Sequence, residues 1–169
     1  DREALGGAPV AVARDVLELE RMGAEDIEWV ATIPETPLLA AGRDRELREV
    51  LLNLLENARL ARARRITLSV VATTDGGAEI TVADDGHGIP AHLLDRIFEP
   101  HFSTRTSGSG LGLAISRRLI DGWGGSIAAL SVLAVALLGF GFAMLTSWLL
   151  ARTVLRGEAT TFSLELPPY

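Results

Sequence analysis

The chain has 169 residues, which is enough for one domain with a sizeable hydrophobic core. It contains no cysteine, and this excludes a disulfide framework, a thiolate metal site and a cysteine nucleophile. Sixteen Lys and Arg residues against 22 Asp and Glu residues give a net charge of −6. That balance argues against nucleic acid as a partner, because phosphate contacts need a basic surface.

Hydrophobic periodicity predicts helices and strands that alternate along the chain. The predicted helices cover residues 11–22, 44–61 and 113–120. The first has an apolar stripe of Val12, Val16, Leu17 and Leu19, and the second has one of Leu47, Leu51, Leu54, Leu55 and Ala58. The predicted strands cover residues 27–33, 66–72, 78–83 and 160–166, and Asp75-Gly76-Gly77 joins the middle two as a hairpin. We therefore expect an α/β fold with helices stacked on one face of a sheet.

Two amides lie one turn apart on the second predicted helix. Asn53 and Asn57 border its apolar face, although Asn is a poor residue for a helix interior. They could be two polar positions at the edge of a helix, or they could offer an amide oxygen to a hard cation such as Mg²⁺.

The third predicted strand ends in a carboxylate followed by glycines, in the sequence Asp84-Asp85-Gly86-His87-Gly88-Ile89. Asp84 has the inward parity of Ile80 and Val82, and it could accept a hydrogen bond from an exocyclic amine such as that of adenine. The glycines allow a ligand to approach the backbone closely. A plain Asp-Gly turn is the alternative.

Two further loop motifs are ambiguous when each is taken alone. Phe98 and Phe102 could pack on the core or form the hinge of a mobile lid, and Arg105 could reach a phosphate. The glycines of the segment 108–112 precede a helix, whose first N–H groups attract anions.

These motifs, in this order, resemble the catalytic ATP-binding domain of bacterial sensor histidine kinases, within the gyrase–Hsp90–histidine kinase–MutL superfamily. Asn53 and Asn57 match the N box, and residues 84–88, 98–102 and 108–112 match the G1, F and G2 boxes. Residues 157–162 resemble the last box. The resemblance covers residues 9–132 and 156–167, and its F box favours kinases over gyrase or MutL relatives.

The resemblance implies a two-layer Bergerat-type fold with a mixed sheet, and ATP and Mg²⁺ as ligands. Asn53, Asn57 and Arg105 would be catalytic, with Asn57 binding the Mg²⁺. Asp84 would bind the adenine amino group, and Thr160 would help to hold the adenine. The other implied nucleotide contacts are Gly86, Gly88, Ile89, Phe98, Phe102, Gly108, Gly110, Leu111 and Gly112.

Three departures qualify the resemblance. Leu60 stands where many members have a Lys, so Arg62 or Arg105 would have to compensate. Asn53 stands where gyrase-like relatives have a Glu that activates water, which fits transfer of phosphate better than rapid hydrolysis. None of the three histidines lies in a phosphoacceptor pattern, so we expect the target histidine on a dimerisation domain that is not in this sequence.

Residues 122–151 carry no charge, and a stretch of this length is typical of a transmembrane helix. The resemblance predicts a short turn where residues 133–155 stand. The segment could be a helix that packs against the domain or dips shallowly into a bilayer with both ends on one side. It could also be a membrane span in a broken fold, or a foreign insertion. We expect an inserted hydrophobic helix that projects from one complete ATP-binding domain, residues 1–169.

The combined interpretation is a kinase that transfers the γ-phosphate of ATP to a histidine of the phosphoacceptor domain and, through it, signals to a response regulator. The expected location is cytoplasmic, with contact between residues 133–155 and the inner membrane as an alternative. An anti-sigma-type serine kinase and a non-catalytic membrane-inserted remnant remain the alternative functions.

Overall fold

Helices and strands alternate along the chain, as the periodicity predicts. The computed structural model describes residues 6–24, 26–103, 109–131 and 159–169. Its helices are α1 (Pro9–Gly23), α2 (Asp44–Leu60) and α3 (Gly112–Gly122), with a short 3₁₀ turn at Ala91–Leu93. Its strands are β1 (Gly6–Gly7), β2 (Glu28–Thr32), β3 (Ala40–Ala41), β4 (Arg65–Ala72), β5 (Ala78–Asp84), β6 (Ser126–Ser131) and β7 (Thr160–Leu166). All the helices and strands predicted from periodicity are present.

The five longer strands form one mixed sheet in the order β2-β4-β5-β7-β6. β2 is parallel to β4, and the other neighbouring pairs are antiparallel. The hairpin between β4 and β5 closes at the predicted turn, where the Thr73 hydroxyl and the Gly77 N–H donate to the Asp75 carboxylate. These two hydrogen bonds lower the pKa of Asp75 because they favour its charged form.

The core lies between one face of this sheet and the three helices, which confirms the two-layer architecture. The predicted stripe of α2 is buried throughout, and it meets inward residues of the sheet such as Leu68, Ile80 and Leu164. The prediction for Leu19 is wrong, because this residue is 50% exposed while the rest of the predicted stripe of α1 is buried. It follows Leu17 by two positions and so points to another side of the helix.

The register of the sheet brings three polar residues together at one end. Asp84 on β5 is the partner of Thr160 on β7, which is in turn the partner of Ser131 on β6. All three are buried, with 3%, 3% and 0% of their surface exposed. The inward parity predicted for Asp84 and Thr160 is therefore confirmed.

The predicted insertion, residues 133–155, lies outside the described residues. Ser131 and Thr160, which flank it, are paired in the sheet, so β6 and β7 do not lie on opposite sides of a membrane. Among the described residues, no helix is both long enough and apolar enough to cross a bilayer.

Candidate nucleotide-binding site

A cavity of about 720 Å³ opens where the N-box residues, the end of β5 and the start of α3 meet. The helix α2 and the residue after it contribute Asn53, Glu56, Asn57, Leu60 and Ala61. The strand ends contribute Asp84, Thr160 and Phe162. The loops contribute His87, Gly88, Ile89, Pro90, Leu93, Ile97, Phe102, Ser103, Ser109 and Gly110, and α3 contributes Gly112 and Leu113.

Asp84 and Thr160 form the polar end of this cavity. The Oδ1 atom of Asp84 accepts a hydrogen bond from the Gly86 N–H at 2.8 Å, and its main-chain oxygen accepts one from the Ala159 N–H at 2.6 Å. The carboxylate is therefore held in a defined position while nearly all of its surface is buried. A buried carboxylate of this kind can accept a further hydrogen bond from a ligand, because a carboxylate has about four acceptor sites on its two oxygens.

The two amides of α2 have different partners. The Nδ2 of Asn57 donates to the Asn53 main-chain oxygen at 2.9 Å, so the amide oxygen is the atom that Asn57 can present to a ligand. The Nδ2 of Asn53 lies 3.4 Å from both the Gly112 oxygen and the Ser116 Oγ, which ties α2 to the first turn of α3.

The glycines after Asp84 allow the loop to pack tightly against the end of α2. A Cβ on Gly86 would lie 2.6 Å from the Ala61 oxygen, and Gly88 has a positive φ of 74°. The neighbouring carboxylate has a different role, because Asp85 Oδ1 accepts the N–H groups of Arg64 and Arg65 at 2.7 and 2.9 Å.

The two predicted aromatic contacts separate in the structure. Phe102 lines the cavity, and the Arg96 guanidinium lies 4.7 Å from the centre of its ring. Phe98 is not among the cavity-lining residues, and its ring packs 5.1 Å from the Arg117 guanidinium of α3. Both rings also pack against the hydrophobic core.

The glycines before α3 form another side of the cavity. Gly110 has a φ of 65°, and a Cβ there would lie 2.6 Å from the carbonyl carbon of His101. Gly112 is the first residue of α3 and lies beside Asn53. The N-terminus of α3, whose first N–H groups have no partner within the helix, is therefore at this side of the cavity. Arg105 and Gly108, both predicted site residues, lie outside the described residues.

The structure thus brings nine of the predicted site residues together around one cavity. They are Asn53, Asn57, Asp84, Gly88, Ile89, Phe102, Gly110, Gly112 and Thr160. Gly86 and Leu111 flank the cavity without lining it. Within the described lining, the charged or titratable side chains are Glu56, Asp84 and His87, so the wall has no Lys or Arg there.

Sequence reasoning missed several apolar lining residues and Ser131. Two of these apolar residues, Leu60 and Ala61, come one turn after Asn57, and this spacing could have placed them in the cavity wall. Ser131 had no signal of its own in the sequence, because its contacts depend on the register of β6.

Residues 42–169 match the model of the histidine kinase-, DNA gyrase B- and HSP90-like ATPase family. The two-component sensor PprA of Pseudomonas aeruginosa is 38% identical over 139 residues, which are 75% of this chain and 15% of PprA. The sensor histidine kinase ZraS of Escherichia coli K12 is 44% identical over 101 residues, which are 59% of this chain and 21% of ZraS.

Solved histidine kinase structures have the same fold. The mycobacterial sensor histidine kinase MprB is 26% identical with a TM-score of 0.72, and the match covers 97% of this chain and 98% of that one. Full-length ShkA in complex with AMPPNP is 29% identical with a TM-score of 0.66, and the match covers 94% of this chain and 29% of ShkA.

This chain belongs to the histidine kinase-, DNA gyrase B- and HSP90-like ATPase family, and it is an ATP-binding domain of the type found in sensor histidine kinases. It spans about a seventh of the length of PprA and about a fifth of the length of ZraS.

Proposed function

We propose that this chain binds Mg²⁺·ATP and is the part of a histidine kinase that donates the γ-phosphate to a histidine on a separate phosphoacceptor domain. The observation that carries the proposal is the position of Asp84. Its buried carboxylate lies in the same cavity as the Asn57 amide and the glycine-rich start of α3. That arrangement offers one end to a base and the other to phosphates.

The adenine would lie at the end formed by Asp84 and Thr160. Its exocyclic amino group donates hydrogen bonds, which the Asp84 carboxylate can accept. Apolar side chains of Ile89, Ile97 and Phe162 line the same cavity and could cover the faces of the base. A buried acceptor surrounded by apolar walls is the usual composition of a small-molecule site.

The phosphates would lie towards α3. The N–H groups at its N-terminus and the glycines Gly110 and Gly112 can approach an anion closely. The predicted contacts Gly108 and Arg105 would act from the segment between Phe102 and Ser109. Arg105 would supply positive charge that the described lining lacks.

Asn57 fits a role as a Mg²⁺ ligand. Its amide nitrogen already donates within α2, which leaves the oxygen, the kind of atom that Mg²⁺ prefers. Mg²⁺ bound with ATP would neutralise charge on the phosphates. Asn53 would hold α2 and α3 together beside that position, and its amide cannot take a proton from water. We therefore infer phosphoryl transfer to another protein group in preference to rapid hydrolysis.

We also propose how the domain is organised, which domain receives the phosphate and where the protein is located. Residues 1–169 would form one catalytic domain interrupted at residues 133–155, and the acceptor histidine would lie on a dimerisation domain that passes the phosphate to a response regulator. The location would be cytoplasmic, at the inner membrane if residues 133–155 contact it.

A phosphotransfer assay tests the function directly. The full chain is incubated with ATP labelled at the γ-phosphate and with a histidine-bearing dimerisation domain from a related sensor kinase. We expect an acid-labile, alkali-stable label that is absent when Asn57→Ala replaces the natural chain. An acid-stable label on a serine would instead favour an anti-sigma-type kinase. ATP binding without transfer to any acceptor would contradict the kinase assignment.

A further inference from the structure

Ser131 is a fully buried polar residue at the end of β6, with 0% of its surface exposed. Its hydroxyl donates a hydrogen bond to the Ala159 oxygen at 3.2 Å and accepts one from the Ile89 N–H at 3.3 Å. One side chain therefore joins three segments that are distant in the sequence: the end of β6, the residue before β7 and the loop after β5.

Both partners of Ser131 lie next to the end of the cavity formed by Asp84 and Thr160. Ile89 lines the cavity itself. Ala159 donates its N–H to the main-chain oxygen of Asp84 at 2.6 Å and immediately precedes Thr160. The Ser131 hydroxyl thus connects to the backbone on each side of the Asp84 and Thr160 pair, although it is not among the residues that line the cavity.

We propose that Ser131 is a positioning residue for the nucleotide base. By holding Ile89 and Ala159, it keeps the loop and the start of β7 in the arrangement that places the Asp84 carboxylate and Thr160 against the adenine amino group. This inference rests on the proposed ATP site and adds to it a determinant of base selectivity that does not touch the ligand.

Removal of the Ser131 hydroxyl should affect the end of the site that would bind the base. In Ser131→Ala the Ile89 N–H and the Ala159 oxygen each lose a partner in a buried setting, so the loop would shift to find new partners. The phosphate end is held by other contacts, including those of Asn53 with α3. The loss should therefore fall on ligands that use the amino group of adenine.

The test compares the affinities of the full chain for ATP and for inosine triphosphate, which has a carbonyl in place of the adenine amino group. Ser131→Ala should weaken ATP binding by about fivefold to tenfold, the scale of one lost buried hydrogen bond, and should weaken inosine triphosphate binding much less. Ser163→Ala is the matched control. Its hydroxyl donates to Glu79 in the same sheet, on the face away from the helices.

Three outcomes overturn the proposal. They are ATP affinity in Ser131→Ala within twofold of the natural chain, an equal loss for both nucleotides, and a loss matched by Ser163→Ala. If Ser131→Ala does not fold, Ser131→Cys has a side chain of similar size with a much weaker acceptor, and it should show the same selective loss. Retained selectivity in a folded Ser131→Cys would also overturn the proposal. Failure of the natural chain to bind ATP would refute the proposed function itself.

Discussion

Two adjacent carboxylates at the end of β5, Asp84 and Asp85, have different surroundings and different hydrogen-bond partners. Asp84 is buried and faces the cavity, whereas Asp85 is exposed and accepts two main-chain N–H groups at the start of β4. Asp84 is the last residue of β5 and points inward, whereas Asp85 begins the loop that follows, so the two carboxylates lie in different surroundings.

Asp84→Asn should weaken ATP binding by about tenfold to a hundredfold, because it would remove the negative charge from the proposed hydrogen bond between Asp84 and the adenine amino group. The asparagine oxygen can still accept the Gly86 N–H, so the fold should survive. Calorimetric titration with ATP measures the change.

The control is Asp85→Asn, which makes the same chemical change one residue away. It should alter ATP affinity less than threefold while lowering the thermal midpoint of unfolding slightly. Equal losses of affinity in the two variants would contradict the separate roles.

At the scale of elements, the loop after β5 and the end of α2 are fitted to each other. A Cβ at Gly86 would meet both the oxygen and the Cβ of Ala61, at 2.6 and 2.7 Å. The His87 N–H donates to the same Ala61 oxygen at 3.0 Å. The loop that carries Gly88 and Ile89 is therefore located by α2, the helix that carries the two amides.

Gly86→Ala should force this loop away from α2, because close contacts in a packed region cost about 1–3 kcal/mol to accommodate. We expect a lower thermal midpoint together with weaker ATP binding, measured on the same sample by thermal unfolding with and without ATP.

Gly122→Ala is the comparison, since a Cβ at this end of α3 meets nothing within 4 Å. Gly122→Ala should leave the thermal midpoint and the ATP affinity close to those of the natural chain. A stable Gly86→Ala with unchanged ATP affinity would show that the contact with α2 does not position the loop.

Periodicity predicted these elements well and the contacts between them less well. The stripe of α2 and the alternation of β7 could be read directly, because each depends on neighbouring residues. The separation of Phe98 from Phe102 could not, since both are apolar and only the packing of α3 places one ring beside Arg117. The contacts of Ser131 could not be predicted either, because its partners are 42 and 28 positions away along the chain.

At the scale of the whole molecule, β6 and β7 pair with each other although residues 133–155 stand between them in the sequence. Ser131 and Thr160 are paired, and Ala159 is bonded to both Ser131 and Asp84. These contacts involve residues at the two ends of the interruption, and none of them requires residues 133–155 themselves.

Deletion of residues 133–155 leaves a loop of five residues between the paired Ser131 and Thr160, a length that hairpins accommodate. We expect the shortened chain to bind ATP with an affinity within about threefold of the full chain, as measured by calorimetry. A shortened chain that is folded but does not bind ATP would show that the deleted residues are part of the site.

The most direct test concerns the proposed Mg²⁺·ATP site between α2 and the ends of β5 and β7. Calorimetric titration of ATP into the full chain, with and without Mg²⁺, tests it for the natural chain and for Asn57→Ala. We expect the natural chain to bind ATP more tightly when Mg²⁺ is present, and we expect Asn57→Ala to lose this effect of Mg²⁺. Absence of binding in the natural chain, or equal Mg²⁺-dependent binding in Asn57→Ala, would contradict the proposed site.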